Sequence, residues 1–560
     1  MSALIGFALR TRLPLSLINI PNRGETLVSR HFFKLTTTAL VVGLVSACAQ
    51  AGVDPATLPV KNLKADVIVV GAGGTGLAAA AAARLAGAEV LVIEKLPMVG
   101  GSSAFAGGAI AAGDSNAQKR VGSQGTSTEE FVKIWLNDQK RSSAGGDPSY
   151  PDERLVRAMA REFTVTANWL EDKIGHKYAT PRPFGYGGPD FAHAPAESPV
   201  PASGRGSSSA GGRFVIQNLM KFLDAHQVPV MKGTPADDLI LNEKGDVVGV
   251  KAHNGKLRYE ISGKAVVLAT GGFPNNRAML EKLVPDYAPY ADLSVASIGD
   301  TGDGISMAVR AGAAPYTDAW VIGLYLNSEK KELNGVITSK DKYKDRVFVN
   351  EKGLRFTNEN LPYLTDAVVK EKAVWGIADS SDPEKVKAAL KYNDPKYAVR
   401  GDTWEALAAA MGVPPDALAR TMKDYNAACT TGDDKAFGKA KEFLKPFAKP
   451  PFFAVRVVPK TGGTIGGVKV NDKFQVVRED GSVIKGLYAG GEVINRPYYN
   501  RVYTSGTGLG IAYTSGRIAG TNAAAERRSP PALKDTPERA GCSTRAPARF
   551  LYSLIESTEA

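Results

Sequence analysis

The run Gly71-Ala72-Gly73-Gly74-Thr75-Gly76 has the G-x-G-x-x-G spacing that lets a main chain cradle a pyrophosphate. Gly71 permits a tight turn, Gly73 lets the phosphates approach the backbone, and Gly76 lets the next helix lie close to the preceding strand. Gly74 and Thr75 fall at the start of that helix, where unpaired N–H groups and a positive dipole end attract anions. Glu94 stands about 20 residues further on, where a carboxylate accepts hydrogen bonds from ribose hydroxyls. A second small-residue cluster follows at once, in Lys95 to Gly108, with Gly100, Gly101, Ser102, Ser103, Gly107 and Gly108. Ala269-Thr270-Gly271-Gly272 forms a third, and Gly490-Gly491-Glu492 with Gly506-Thr507-Gly508-Leu509-Gly510 a fourth. One glycine turn serves any dinucleotide; the Gly/Ser cluster just past Glu94 and the late return of such signals point to FAD rather than NAD.

Each cluster comes directly after an apolar run. Ala65–Val70 and Ala265–Leu268 are β-branched or apolar and short, as in buried parallel strands, and Glu89–Ile93 is a second strand of the same kind. Alanine-rich Leu77–Ala86 reads as the helix between the first two strands, and Ile511–Ala525 as a helix after the last cluster. Lys244-Gly245 and Asn254-Gly255 mark two hairpin turns. The reading is an α/β fold: a Rossmann-like FAD-binding domain that is left and re-entered, with a middle segment inserted between its two parts.

Composition is that of a globular protein, with 560 residues, 44% hydrophobic and 22% charged, and excludes a disordered, collagenous or polytopic membrane chain. The net charge is +12, of which the first 34 residues supply four, and no basic run is interleaved with aromatics, so nucleic acid is not an expected partner. The basic balance reads as a solvated surface, or as one that recruits an anionic substrate or redox partner. Cys48, Cys429 and Cys542 cannot form a disulfide framework, an iron–sulfur site or a c-type haem attachment. No clustered metal ligands are visible, His176 and His193 are expected in loops, and Ser505 has no histidine partner at a recognisable spacing, which argues against a hydrolase.

Leu35–Ala47 is an apolar run of 13 after Arg30 and Lys34, too short for a bilayer and suited to an export signal. Val45-Ser46-Ala47-Cys48-Ala49 resembles a lipobox, which would make Cys48 a lipid anchor; cleavage near Ala49 or Ala51 is the alternative. Ser29–Lys34 has the look of a twin-arginine signal lacking its second arginine, and the long stretch before it points to Val28 as the true start. Residues 1–48 are thus expected to be a signal peptide, with the protein exported to the periplasm or lipid-anchored at the membrane, and a buried helix at 35–47 is the competing reading. Residues 526–560, rich in Pro, Arg and Ser, read as a disordered tail.

The ordered segments VIVVGAGGTGLAAAAAA, EKLPMVGGSSAFAGG, VVLATGGF, TGDGISMAVRAGA, FVNEKGLRFTNE, GGTIGGV and GLYAGGEV resemble the succinate dehydrogenase/fumarate reductase flavoprotein family over residues 64–525. Soluble fumarate reductases, urocanate reductase and 3-ketosteroid dehydrogenases belong to it. The resemblance implies a Rossmann-like FAD-binding domain of glutathione-reductase type with an inserted, mobile α+β capping domain and the active site between them, divided as 64–314 for the first FAD-binding part, 315–459 for the capping and substrate domain and 460–525 for the second FAD-binding part. It implies contacts to FAD from Asp303, Gly491, Glu492, Gly508 and Leu509 besides the clusters above, and hydride transfer between flavin N5 and a carbon of a CH–CH or C=C bond. Gly101 or Ser102 stands where part of the family carries a flavin-linked histidine, so non-covalent FAD is expected. No haem segment is present, so a separate electron acceptor or donor, a quinone or cytochrome, is expected.

The substrate-side residues depart from fumarate reductases. Gly463 replaces the histidine before Thr464, Trp320–Leu324 holds no histidine, and Asn360-Leu361-Pro362-Tyr363 replaces the family's Thr-Thr-Arg-Asp. The pattern Arg355-Phe356, Asn358-Glu359-Asn360-Leu361-Pro362-Tyr363 and Asn500-Arg501-Val502-Tyr503-Thr504-Ser505-Gly506 is nearer to 3-ketosteroid dehydrogenases. That likeness implies Tyr363 as base, Tyr503 and the Gly506 N–H as holders of a carbonyl oxygen, and Arg501 as the charge that lowers the tyrosine pKa. The first reading is an enzyme that desaturates a cyclic ketone or reduces the matching enone. A reductase of an unsaturated carboxylate, gripped by Arg501, is the second; a non-catalytic flavoprotein that carries electrons or binds a ligand is the third.

Overall fold

The computed structural model describes residues 57–140, 146–184, 187–200, 210–338, 343–361 and 364–526. The expected export signal with Cys48, nearly all of the C-terminal tail, and Tyr363 lie outside these residues.

The central sheet has six strands, in the order Gln475–Val477, Val483–Ala489, Ala265–Leu268, Val67–Val70, Val90–Ile93 and Val230–Met231. All run parallel except the edge strand Gln475–Val477. The three middle strands are wholly buried, which is why they read as unbroken apolar runs rather than alternating ones. Their register pairs Leu268 with Val70 and with Ala489, and Val70 with Ile93. The four strands therefore end at one level, and Gly71, Glu94, Ala269 and Gly490 leave the sheet side by side.

Helices Gly74–Leu85 and Thr507–Ala524 pack on the sheet against each other. The approach requires glycine: a Cβ on Gly516 would lie 2.2 Å from the Thr75 carbonyl oxygen and one on Gly520 2.1 Å from that of Ala79. Beside the central sheet stands a four-stranded one, Val60–Lys64, Arg258–Ser262, Val247–His253 and Ala236–Leu241. Its two hairpins turn at Gly245 and Gly255, both at positive φ, where the sequence places them.

The inserted segment builds its own sheet from Trp320–Asn327, Phe452–Ile465, Val374–Ala378, Val347–Asn350 and Ala398–Gly401. Two apolar clusters of its own, one around Tyr425 and Leu418 and one around Phe348 and Val455, hold it together. The 14-residue strand Phe452–Ile465 runs without a break through the expected boundary at Pro459/Lys460. Its first half pairs with Val374–Ala378 and its second half with Trp320–Asn327. Trp320, Val321, Ile322 and Ile465 belong to the main core, so both connections of the cap are rooted in the nucleotide-binding body.

Candidate active site

A cleft lies along the edge where the parallel strands end. Gly71, Gly73, Gly74 and Thr75 form one part of its wall, with Glu94 and Lys95 next to them. Gly101, Ser102 and Ser103 line it, as do Ala269, Thr270, Gly271 and Asp303. Gly491, Glu492, Gly508, Leu509 and Tyr503 complete the set of sequence-expected residues that face it.

Two helices begin at this cleft. Gly74–Leu85 starts after Gly73 and Thr507–Ala524 after Gly506; neither has a side-chain cap or an acidic residue in its first turn. Their positive dipole ends are thereby open to an anion, with the first N–H group of each helix engaged, Gly74 by Ser103 and Thr507 by the Thr504 carbonyl. The cradle also fits a bulky ligand sterically, because the walls are glycine and small residues. Glu94 is fixed by the N–H groups of Ala72 and Leu96, each donating at 2.8 Å. Lys95 Nζ donates to Asp303 and Thr301 at 2.6 Å each, which ties the second strand end to the helix Asp303–Arg310. Ser103 Oγ accepts from the Gly74 N–H at 3.2 Å. These features suit a dinucleotide with its pyrophosphate at the helix starts.

Other expected residues stand behind the wall. A Cβ on Gly76 would lie 1.8 Å from the Gly71 carbonyl oxygen, so Gly76 serves helix–strand contact. Gly100 caps the short helix Gly101–Phe105, and Gly107 and Gly108 pack against Gly211 and Gly212 at the start of another helix. Gly506, at φ 86°, is packed on Phe184 and Ala111 at the head of its helix.

Arg501 stands beside the cleft rather than among the residues that line it. It adopts φ 59°, stacks its guanidinium 4.7 Å from the Trp320 ring centre and donates to Asp318 at 3.1 Å. Arg496, fully buried, pairs with the same Asp318 and covers the Tyr150 ring at 3.5 Å. Two guanidiniums thus share the Asp318 carboxylate, and a second carboxylate, Asp147, lies within electrostatic reach of both. Trp320 is fixed in turn by Asp366, which accepts from its indole N–H at 3.1 Å and from the Tyr287 hydroxyl at 2.7 Å. Burial raises the Asp366 carboxyl to about 6. Tyr503 packs 6.1 Å from Tyr499, whose hydroxyl is 2.7 Å from Thr507 Oγ1.

Sequence reasoning missed Asp318, Arg496, Trp320 and Tyr499, which carry no motif signal, and Asp300, which sits inside Asp300-Thr301-Gly302-Asp303 and lines the cleft. Asp300 accepts from Ser102 Oγ at 2.5 Å, and Glu492 accepts from the Thr464 N–H at 2.8 Å. Burial is the main cause that raises both carboxyls, Asp300 to about 7 and Glu492 to about 8. The expectation for His193 is corrected: it ends the strand Gly187–His193, fully buried, 2.6 Å from Ser115 Oγ. His176 does lie between elements but is equally buried, 3.0 Å from Asn218. Burial lowers both imidazoles to about 4.

A family model described as FAD binding domain matches residues 66–509. The chain is 31% identical to a probable fumarate reductase, Ifc3, of Shewanella frigidimarina, over 82% of this chain and 74% of that protein. The open conformation of a flavocytochrome c3 fumarate reductase superposes with a TM-score of 0.64 at 29% identity, covering 83% of this chain and 78% of the other. A 3-ketosteroid Δ4-(5α)-dehydrogenase from Rhodococcus jostii, in complex with 4-androstene-3,17-dione, gives 0.62 at 25% identity, covering 82% and 97%.

Proposed function

Since this chain belongs to the FAD binding domain family and is an FAD-dependent oxidoreductase acting on CH–CH bonds, we propose that it reduces a C=C bond conjugated to a carboxylate. The observation that carries this reading is the pair of guanidiniums beside the cleft, Arg496 and Arg501, brought together on the carboxylate of Asp318. A guanidinium presents a planar fork of N–H donors that matches a carboxylate. Arg501 is the more accessible of the two, with its side chain 24% exposed against 1% for Arg496, and takes the substrate carboxylate. The fumarate-reductase relative supports the same substrate class.

FAD, when bound, supplies the hydride. The chain supplies the rest. Gly71 to Thr75 and the N-terminus of Thr507–Ala524 receive the cofactor phosphates, and Glu94 receives ribose hydroxyls. The Tyr503 hydroxyl, on the cleft wall, is the candidate proton donor to the second carbon. The described residues place no histidine or cysteine on that wall, which supports non-covalent FAD. Electrons come from a separate quinone or cytochrome, and the protein is exported; cell fractionation with an antibody to the mature chain tests the latter.

A second reading keeps the ketone chemistry. It is favoured by Tyr503 and Tyr499 lining the cleft where a carbonyl oxygen would accept a phenolic hydrogen bond. Anaerobic mixing of the reduced holoenzyme with a panel separates the two. Reoxidation by fumarate, acrylate or urocanate and not by cyclic enones upholds the carboxylate reading. Reoxidation by enones alone replaces it with the ketone one.

A further inference from the structure

Two carboxyl groups stand on consecutive glycines at the end of the strand Ala265–Leu268. A Cβ on Gly271 would lie 2.5 Å from Asp300 Oδ1, and one on Gly272 2.4 Å from Glu492 Oε2. Both carboxyls line the cleft. Asp300 is 6% exposed; Glu492 keeps partial access to solvent, which a ligand filling the cleft would reduce.

Their hydrogen bonds are one-sided. Asp300 Oδ2 accepts from Ser102 Oγ, which itself accepts from the Ser297 N–H at 2.7 Å. Glu492 Oε2 accepts from the N–H of Thr464 and, at 3.4 Å, from its hydroxyl. Among the described residues no donor reaches Asp300 Oδ1 or Glu492 Oε1. The charged groups nearest Asp300 are Lys95, Glu94, Asp303 and Glu492 itself. Lys95, the one cation of the four, is engaged by Asp303 and Thr301. Around Glu492 the neighbours are Thr464 and Asp300. Neither carboxyl has an ion-pair partner among the described residues. Two acids placed together out of water, without a cation, do not both ionise readily.

We propose that Asp300 and Glu492 act as one acid pair that retains a proton at neutral pH, and that FAD binding to the cleft is linked to that proton. The linkage follows from charge. FAD brings an anionic pyrophosphate and displaces water, and both effects oppose full ionisation of the pair. Where the apoprotein pair has lost its last proton, binding takes one up from solvent. FAD affinity then falls as pH rises, by up to about tenfold per pH unit above the higher ionisation. Burial raises both groups into the neutral range, so the loss sets in on the alkaline side. The inference rests on FAD as cofactor and is independent of the substrate.

Calorimetric FAD binding to the wild-type apoprotein, in two buffers of different ionisation enthalpy, counts the protons directly. The expected result is uptake approaching one proton per FAD near pH 9 and little near pH 6. Zero uptake at both values overturns the proposal without any variant. Asp300→Asn and Glu492→Gln should each remove most of the alkaline weakening, so that FAD affinity changes less than about threefold across the range where wild type loses tenfold or more. An unchanged pH profile in both variants overturns it. If either variant fails to fold, infrared spectra of wild-type holoprotein decide: a protonated-carboxyl stretch at pH 7 that disappears on alkaline titration supports the pair, and its absence refutes it. None of these readings depends on turnover, so failure of the pair and failure of the carboxylate-reductase assignment are distinguishable.

Discussion

Replacing Arg501 by glutamine tests the substrate assignment because the structure separates its cost in stability from its cost in activity. Arg501 is partly exposed, and its ion pair with Asp318 is backed by Arg496, which keeps that carboxylate paired when Arg501 is gone. A solvent-screened pair of this kind contributes about 0–1 kcal/mol, so unfolding should shift by no more than that. The site, in contrast, loses one positive charge and the planar donor fork that a carboxylate would meet. A charge-assisted hydrogen bond is worth about 1.5–3 kcal/mol, and a guanidinium can grip a carboxylate with two. Arg501→Gln should therefore lower kcat/KM for an unsaturated carboxylate about 10²–10³-fold, or roughly 3–4 kcal/mol. The assay is stopped-flow reoxidation of reduced holoenzyme over a range of substrate, with a neutral enone of similar size as control and flavin content measured in parallel. Retention of carboxylate turnover within fivefold, at full flavin content, would refute the role given to Arg501. Equal losses for carboxylate and enone would also defeat it, because a charge effect discriminates between them.

Gly76→Ala places a Cβ 1.8 Å from the Gly71 carbonyl oxygen and cannot be relieved by a side-chain shift, so it should cost about 3 kcal/mol or more and yield protein without bound flavin. A yellow, normally stable variant would contradict the packing role. His193 is neutral when folded, with its pKa lowered to about 4 by burial, and binds a proton below about 6.5 once unfolded. Its contribution to stability is present above that value and lost as pH falls through the folded pKa. Urea unfolding of His193→Gln should accordingly lose less stability between pH 6.5 and 4 than wild type does, by up to one proton in the slope of ΔG against pH. Equal slopes would show that His193 does not titrate as a buried neutral group. Asp300 and Glu492, with raised pKa values, act with the opposite sign, so the difference between the proteins rather than either curve alone is the measurement. In the cap, Glu359 accepts from Arg355 at 2.9 and 3.2 Å and pairs with Lys439 at 3.3 Å, with its side chain fully buried. Glu359→Ala removes the carboxylate paired with the buried Lys439, while Arg355 keeps Asp434 at 3.0 Å, and should cost about 3 kcal/mol by chemical denaturation; a loss below 1 kcal/mol would mean that the desolvation of the group offsets its pairing.

What was legible in the sequence is what is local in the chain. Each small-residue cluster directly follows a strand, and parallel register brings strand ends to one level, so Gly71, Glu94, Ala269 and Gly490 converge without any long-range information. The Asp318 corner was not legible, because its three charged members are joined only by folding, with 178 positions between Asp318 and Arg496. His193 was misplaced for a different reason. Its strand lies among Gly and Pro residues and pairs in a small irregular sheet, where the usual β-branched signal is missing. The boundary near Pro459 was placed by the family resemblance rather than by a local signal, although Pro459 itself cannot donate to a sheet. In the fold it sits where the long strand passes from one partner to another, paired with Leu326.

The strand that exchanges partners also ties the cap to the corner at Asp318. Trp320, on which Arg501 stacks, is the first residue of the cap's first strand and is held in register against Ile465. Its indole is oriented by Asp366, which belongs to a different cap element, and Asp366 is oriented by Tyr287 from the nucleotide-binding body. Arg501 itself comes from the segment just before the helix whose N-terminus faces the cleft, at positive φ, with its side chain held by the stacking on one side and Asp318 on the other. The Arg501 guanidinium is therefore placed by contacts from the cap and from the nucleotide-binding body together. A cap displaced at the Trp320–Ile465 pairing would lose the stacking surface and free Arg501 to turn away, while the glycine cradle at Gly71–Gly76, packed on the central sheet, would remain intact. Cofactor retention and carboxylate selection should then be separable properties of one chain, the first residing in the strand ends and the second in the corner that the cap completes.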